Sequence, residues 1–320
     1  MKKSISKKSS KQANQDKENL AYRLQLDQVI ANFRSKYFRE SDSANPFLSL
    51  TQNGHSAFSE LLKVLDLQGD EYSITRTQAI LVIANVFDQH GVESETLDKL
   101  VEYSKKLPPF GNEKFAVLRA IGKSRQPYLI AGFTSLLDKP IPEVINSALI
   151  VLGYAKYIPA LPAIKWVITQ ENMLTVPAAI WAIGEIGDNT GLDILIEAYK
   201  NNKYIHDVIL AIGKIGYRHG LAYLCMTLRD SGDSALRYHA VLGIFNTVVK
   251  NHEQKFDSLF PFLENSLQDI FPPIRAVSLT IIGLLGKTLT KAQIDEVFEI
   301  QSKIKDEDLT DMAKFFMRRN

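Results

Sequence analysis

The feature that most constrains this chain is a phrase that keeps returning along it: one small residue, then aliphatics, then glycine. It stands as Ala120-Ile121-Gly122, Val151-Leu152-Gly153, Ala182-Ile183-Gly184 and Ala211-Ile212-Gly213, with a looser copy at Ile281-Ile282-Gly283. The first four glycines are spaced 31, 31 and 29 residues apart. Self-similarity at a period of about 20–50 residues is the signature of stacked repeats, in which each unit buries its apolar face only against its neighbours. Such an array settles architecture and moves the functional expectation away from chemistry and towards binding.

Each copy reads as two helices. Val176 to Ile186 forms the motif helix of the best copy, and Gly187-Asp188-Asn189 the turn. A follow-on helix then places Leu192, Leu195, Ile196 and Tyr199 at i, i+3, i+4 and i+7, the spacing of one helical face. The next copy repeats this with Ile205 to Ile215, Gly216, then Leu221, Leu224, Cys225 and Leu228. Seven motif helices align in this way. The first carries Ala84 at the glycine position, and the sixth carries Phe245 there, with Gly243 two residues early.

Counting from the repeat glycine at about 100° per residue, positions −9, −5, −2, −1 and +2 share one side and are mostly Ala, Val, Leu and Ile, a core stripe. The glycine points away from that stripe, at about 1 kcal/mol of helix propensity relative to Ala. Recurrence of that cost in unit after unit predicts a close approach, by a neighbouring helix or a bound chain.

The surroundings of the array are less regular. Residues 1–19 read as a basic, disordered tail, with Lys2, Lys3, Lys7, Lys8, Lys11 and Lys17 against Asp16 and Glu18. Residues 20–73 read as an N-terminal helical cap, 74–287 as the repeat array, and 288–320 as C-terminal cap helices ending in Arg318-Arg319. The whole chain carries a formal charge of only +2 over 320 residues. The first 20 residues carry +4 and the remaining 300 carry −2 (32 basic, 34 acidic), so the body lacks the basic footprint of a dedicated nucleic-acid binder. The single cysteine, Cys225, lies at helical spacing among leucines and reads as a buried structural thiol. No secretory signal and no run of about 18 apolar residues is visible, so a cytoplasmic monomer without a membrane span is expected.

These residues resemble the HEAT-repeat superfamily, in particular the short HEAT-like repeats of phycobilisome lyases. Ala182-Ile183-Gly184-Glu185-Ile186-Gly187-Asp188 carries the resemblance best, followed by Ala211-Ile212-Gly213-Lys214-Ile215-Gly216. The aliphatic–Arg pair of those repeats is matched by Leu236-Arg237 and Ile274-Arg275, and Thr75-Arg76 keeps the Arg alone. The central copies depart from it, with Lys114, Ile145, Val176 and Ile205 in its place. The resemblance implies an all-α fold, a right-handed α-solenoid of about seven helical hairpins with terminal caps. It further implies that motif helices line the concave side while follow-on helices lie outside.

On that inner side, positions −7 and −3 are the ones a simple wet groove would make polar. Instead Phe115, Trp181 and Tyr238 occur there with Ile150 and Leu210, joined by Arg119, Asn146 and His206. Either tight curling buries this face, or it forms an apolar groove whose few anchors capture a partner. The expectation is therefore a non-catalytic scaffold binding a protein or peptide through these eight residues. A bilin lyase subunit, as the resemblance allows, is the first alternative, and a nucleic-acid-binding HEAT-like protein the second.

Motifs for catalysis and cofactors are missing. None of the six histidines forms an i, i+4 pair, and HExxH, CxxC, phosphate-loop and G-x-S-x-G patterns are absent. No catalytic residue, metal or cofactor is expected. The one assembly worth testing is an acid–base group built from His206, Asp207 and His239, for which exposed inner-helix polar residues are the simpler account.

Overall fold

A computed structural model describes residues 54, 58–201, 204–251, 256–285 and 289–304. The expected basic tail, the cap helix beginning at Leu20 and the Arg318-Arg319 tip lie outside the described residues. Among those described there are fifteen α-helices and no strand.

The chain divides into two compact units between Ala155 and Lys156. In the first unit α1 (Phe58–Leu65) precedes three motif helices, α2 (Ser73–His90), α4 (Asn112–Ser124) and α6 (Pro142–Ala155). Their follow-on helices there are α3 (Ser94–Lys106) and α5 (Pro127–Thr134). Helix α2 packs on α4 and α4 on α6, one layer of motif helices in chain order, with α3 against α4 and α5 against α6. The second unit runs α7 (Leu161–Thr169), α8 (Val176–Ile186), α9 (Asn189–Lys200), α10 (Ile205–Ile215), α11 (Leu221–Asp230), α12 (Ser234–Lys250), α13 (Phe260–Ser266), α14 (Pro272–Leu285) and α15 (Lys291–Ile304). Here α8, α10, α12 and α14 stack in succession, while α7 meets α9 and α11 meets α13 in the other layer. All seven motif helices read from the sequence are present, each in the α-solenoid order of motif helix, turn and follow-on helix.

Local chemistry explains the boundaries. Pro127, Pro142 and Pro272 stand at the first helical position, where a missing N–H costs nothing. Gly187 and Gly216 end α8 and α10 at φ of 72° and 66°, each N–H bonding the carbonyl of Ile183 or Ile212 four residues back. This left-handed stop is cheap only for glycine. The Asp188 side chain then accepts from Thr190 N–H to begin α9, and Asp233 accepts from Ala235 and Leu236 N–H to begin α12.

The core stripe is where the period places it. Ile121, Leu152, Ile183, Ile212 and Ile282, all one residue before a repeat glycine, are buried to 1% exposure or less. Burial of each such side chain contributes about 2–3 kcal/mol. Gly122, Gly184 and Gly213 mark places where successive motif helices touch. A Cβ on Gly122 would lie 2.7 Å from Val151 O, and one on Gly184 would lie 3.0 Å from Ala211 Cα. A Cβ on Gly213 would lie 2.6 Å from Gly243 Cα. Val151, Ala211 and Gly243 all occupy position −2 of the following copy. The displaced glycine of the sixth copy is therefore the receiving side of the same contact.

The arginines of the aliphatic–Arg pairs are structural ties. Arg76 bonds Glu113 through Nε at 2.6 Å and donates to the carbonyls of Leu67 and Gly69. Tyr103 and Ser73 also donate to the Glu113 carboxylate. Arg237 forks onto Asp269 at 2.7 and 2.9 Å and donates to Ser231 O. Each thereby holds the turn before its own helix and reaches to the next copy.

Candidate partner-binding surface

None of the eight residues expected on the inner face is buried. Phe115 and Leu210 are 40% and 45% exposed, His206 is exposed, and Arg119, Asn146, Ile150, Trp181 and Tyr238 are half-buried. Position −4 behaves in the opposite way, with Leu118, Leu149, Ile180, Ile209 and Leu279 all buried. The apolar character of position −4 belongs to the seams between motif helices. That of −7 and −3 belongs to the surface.

In the first unit, α4 and α6 bring Phe115, Arg119 and Tyr154 together. The Phe115 and Tyr154 rings meet edge to face at 5.8 Å, and the Arg119 guanidinium carbon lies over Tyr154 at 5.4 Å from its centroid. Asn146 and Ile150 follow on α6, one and two turns into the helix.

In the second unit, Trp181, Leu210 and Leu242 at position −3 of α8, α10 and α12 wall a cavity of about 400 Å³. Gly184, Ala211, Gly213 and Gly243 form its floor, because the bare helix crossings leave nothing standing there. Asp207, Lys214, His239 and Asn246 supply polar edges, and Lys214 pairs with Glu185. The volume lies within the range of pockets that hold a ligand or an anchoring side chain.

His206 and Tyr238 stand at the N-terminal margin of this face. His206 Nε2 lies 3.0 Å from Asp233 Oδ2, the carboxylate that caps α12. Tyr238 packs edge to face on Phe271 at 5.9 Å. The His239 ring sits 6.2 Å from that of His206, and its Nδ1 is buried without a partner. Burial holds His239 below the usual histidine range, and His206 pushes the same way against the opposing pull of Asp233. The assembly weighed from sequence thus takes a different form, since His206 is paired with Asp233 and not with Asp207. Cys225 is buried on α11, and burial raises its thiol to about 12, which keeps it inert. Among the described residues no group of three or more His, Cys, Asp or Glu could hold a metal ion, and no helix is long and apolar enough to cross a membrane.

Sequence periodicity missed a set of exposed apolar residues in the turns before motif helices. They are Phe110 and Ile141 in the first unit and Met173, Leu174, Ile270 and Phe271 in the second. Their signal was available, because Phe110 and Ile141 follow prolines and Phe271 precedes one, where polar turn residues are the norm. A further cavity of about 480 Å³ between α7, α8 and α9 includes Glu171 and Tyr204, both in left-handed backbone conformations.

Comparison with known proteins adds a family model, the PBS lyase HEAT-like repeat, which matches residues 178–201. That span runs from the start of α8 to the end of α9 and holds Trp181. No curated protein matches the sequence. Among solved structures, the chain is similar to an engineered protein at 14% identity and TM-score 0.45, over 92% of this chain and 90% of that one. It is similar to the CpcE–CpcF complex of phycocyanin lyase from Nostoc sp. PCC7120 at 15% identity and TM-score 0.44, over 86% and 99%. Human deoxyhypusine hydroxylase follows at 10% identity and TM-score 0.34, over 84% and 99%.

Proposed function

We propose that this chain of HEAT-like helical repeats captures a partner protein, or a peptide segment of one, on the inner faces of its motif helices. One observation carries the reading: large apolar side chains at positions −7 and −3 stay at the surface while their neighbours at −4 are buried. An apolar surface of this kind, flanked by polar groups, is what an interface needs. Trp181 is the central anchor of the second unit, set above the floor of bare helix crossings beside Leu210 and Leu242, with Asp207 and His239 at the margins. The eight residues contribute as anchors and orienting groups, and no chemical step is assigned to any of them.

The test is affinity capture by the full chain beside a Trp181→Ala variant, with thermal melting of both. Loss of a stoichiometric partner at unchanged melting temperature supports the reading. Equal capture by both proteins, or collapse of the fold in the variant, overturns it.

A second reading, a bilin lyase subunit, is favoured by the repeat match over residues 178–201, which includes Trp181. Visible absorbance gained on mixing with a bilin, and lost in Trp181→Ala, separates it from the first.

A further inference from the structure

We infer that the inner face of the first unit recognises an acidic peptide segment, with Arg119 receiving a carboxylate while Phe115, Tyr154 and Ile150 hold an adjoining apolar side chain. This rests on the reading of the inner faces as partner-binding, and adds the chemistry of the partner. Arg76, Arg125, Arg229 and Arg237 each pair with a carboxylate. Arg119 has no carboxylate among the described residues, and its Nε is buried without a hydrogen-bond partner. Its guanidinium lies over the face of Tyr154, 5.4 Å from the ring centroid. Placement over a ring uses the flat of the guanidinium and leaves the in-plane N–H donors for a planar carboxylate. Arg119 is half-buried, and the terminal nitrogens of its guanidinium are the donors that an arriving carboxylate meets.

Charge around the site points the same way. Thr77, Leu81, Phe115, Asn146 and Ile150, the other residues at positions −7 and −3 of this unit, are uncharged. Lys123, one turn beyond Arg119, is already held by Asp88 at 2.7 Å. Glu113 is tied to Arg76. Arg119 is thus the one charge at these positions, and among the described residues no carboxylate lies within ion-pair distance of it. A phosphoryl group carries about two charges and is met by arginine clusters, and a nucleic acid by a basic tract. A lone Arg lying over the Tyr154 ring, which Phe115 meets edge to face, matches a single Asp or Glu beside an aromatic or large aliphatic residue. The second unit differs, since Asp207 lies on its own face.

The experiment is selection of a random dodecapeptide display library on the full chain and on Arg119→Gln and Arg119→Lys variants, each checked for unchanged helicity and melting. Wild-type selection should enrich Asp or Glu next to an aromatic or large aliphatic residue. In fluorescence anisotropy, replacing that acid by its amide should weaken binding at least about tenfold, the scale of a charge-assisted pair. Arg119→Gln should bind acid and amide peptides equally, while Arg119→Lys keeps the preference. Selection without acidic enrichment, discrimination that survives in Arg119→Gln, or tighter binding of a phosphoserine peptide than of its Glu counterpart overturns the inference. Peptides lost in Trp181→Ala but indifferent to Arg119 would sink it while leaving the binding role of the inner faces standing. Failure to select any peptide would count against both.

Discussion

Gly213 and Gly243 meet backbone to backbone across the α10–α12 crossing, so close that a Cβ on the first would fall 2.6 Å from the Cα of the second. No side-chain rotation relieves such a contact. The two helices would have to separate, and the cavity floor below Trp181 and Leu210 would change with them.

Gly213→Ala should therefore destabilise the protein by about 1–3 kcal/mol despite the gain in helix propensity, because overpacking a rigid crossing costs more than the roughly 1 kcal/mol that alanine recovers. Gly132 on α5 is the control, exposed and with nothing within 4 Å of where its Cβ would stand. Gly132→Ala should stabilise by up to about 1 kcal/mol. Urea unfolding midpoints of both variants check the opposite signs.

Gly216→Ala should cost more than Gly187→Ala. Both residues are left-handed, which alone costs about 1 kcal/mol for alanine. A Cβ on Gly187 finds ordinary space, with its nearest atom at 3.7 Å. One on Gly216 would fall 2.7 Å from Lys250 Cδ. It would disturb the ammonium group that donates to the last carbonyls of α10, Lys214 O at 2.6 Å and Ile215 O at 3.0 Å. Comparison of the two variants in thermal melts decides this.

The Arg76–Glu113 pair sets an acid limb of stability. Burial raises the Glu113 carboxyl, but the Arg76, Tyr103 and Ser73 hydrogen bonds outweigh it and hold the group below its ordinary 4.5. A depressed carboxyl contributes stability that is present above its unfolded value and lost as pH falls through the folded one. Wild type should lose stability below about pH 4.5, and Glu113→Gln should flatten that limb. Arg76→Met, which strands the buried carboxylate, should cost about 3 kcal/mol at pH 7, and adding Glu113→Gln should recover part of it. Denaturant titrations between pH 3 and 7 report both effects.

His239 should act at milder acidity. Its folded value lies below the usual 6.5, first through burial and then through His206. The neutral ring therefore contributes stability above about pH 6.5 that is lost as pH falls through the folded value. Unfolding midpoints at pH 7.5, 6.5 and 5.5 should fall in wild type, and fall less in His239→Gln. Equal slopes would show that the unpartnered Nδ1 is not what the fold resists charging.

Much of the fold was legible because its determinants are local. The spacing of Leu192, Leu195 and Ile196 declares one buried face, and Gly187 and Gly216 mark the stops that φ then requires. The seven motif helices could be counted for that reason. The candidate surface was legible in part. Helical angle separated positions −7 and −3 from the core stripe, but it could not tell whether Trp181 was covered, since cover is supplied by other copies. The role of Gly243 was hidden because its meaning lies in Gly213, 30 residues away. Asp233 as the partner of His206 was hidden in the same way.

The sequence by itself determined the helix pairs, their caps, their core stripes and the small residue wanted at each crossing, because these follow from backbone period and the reach of one turn. Only the tertiary structure decided which apolar residues remain at the surface and which charges are already paired. Arg76 and Arg119 look alike in sequence, yet one is bonded to Glu113 and the other lies over Tyr154 with no acid to meet. That difference rests on distances between residues of separate helices, and packing alone sets those.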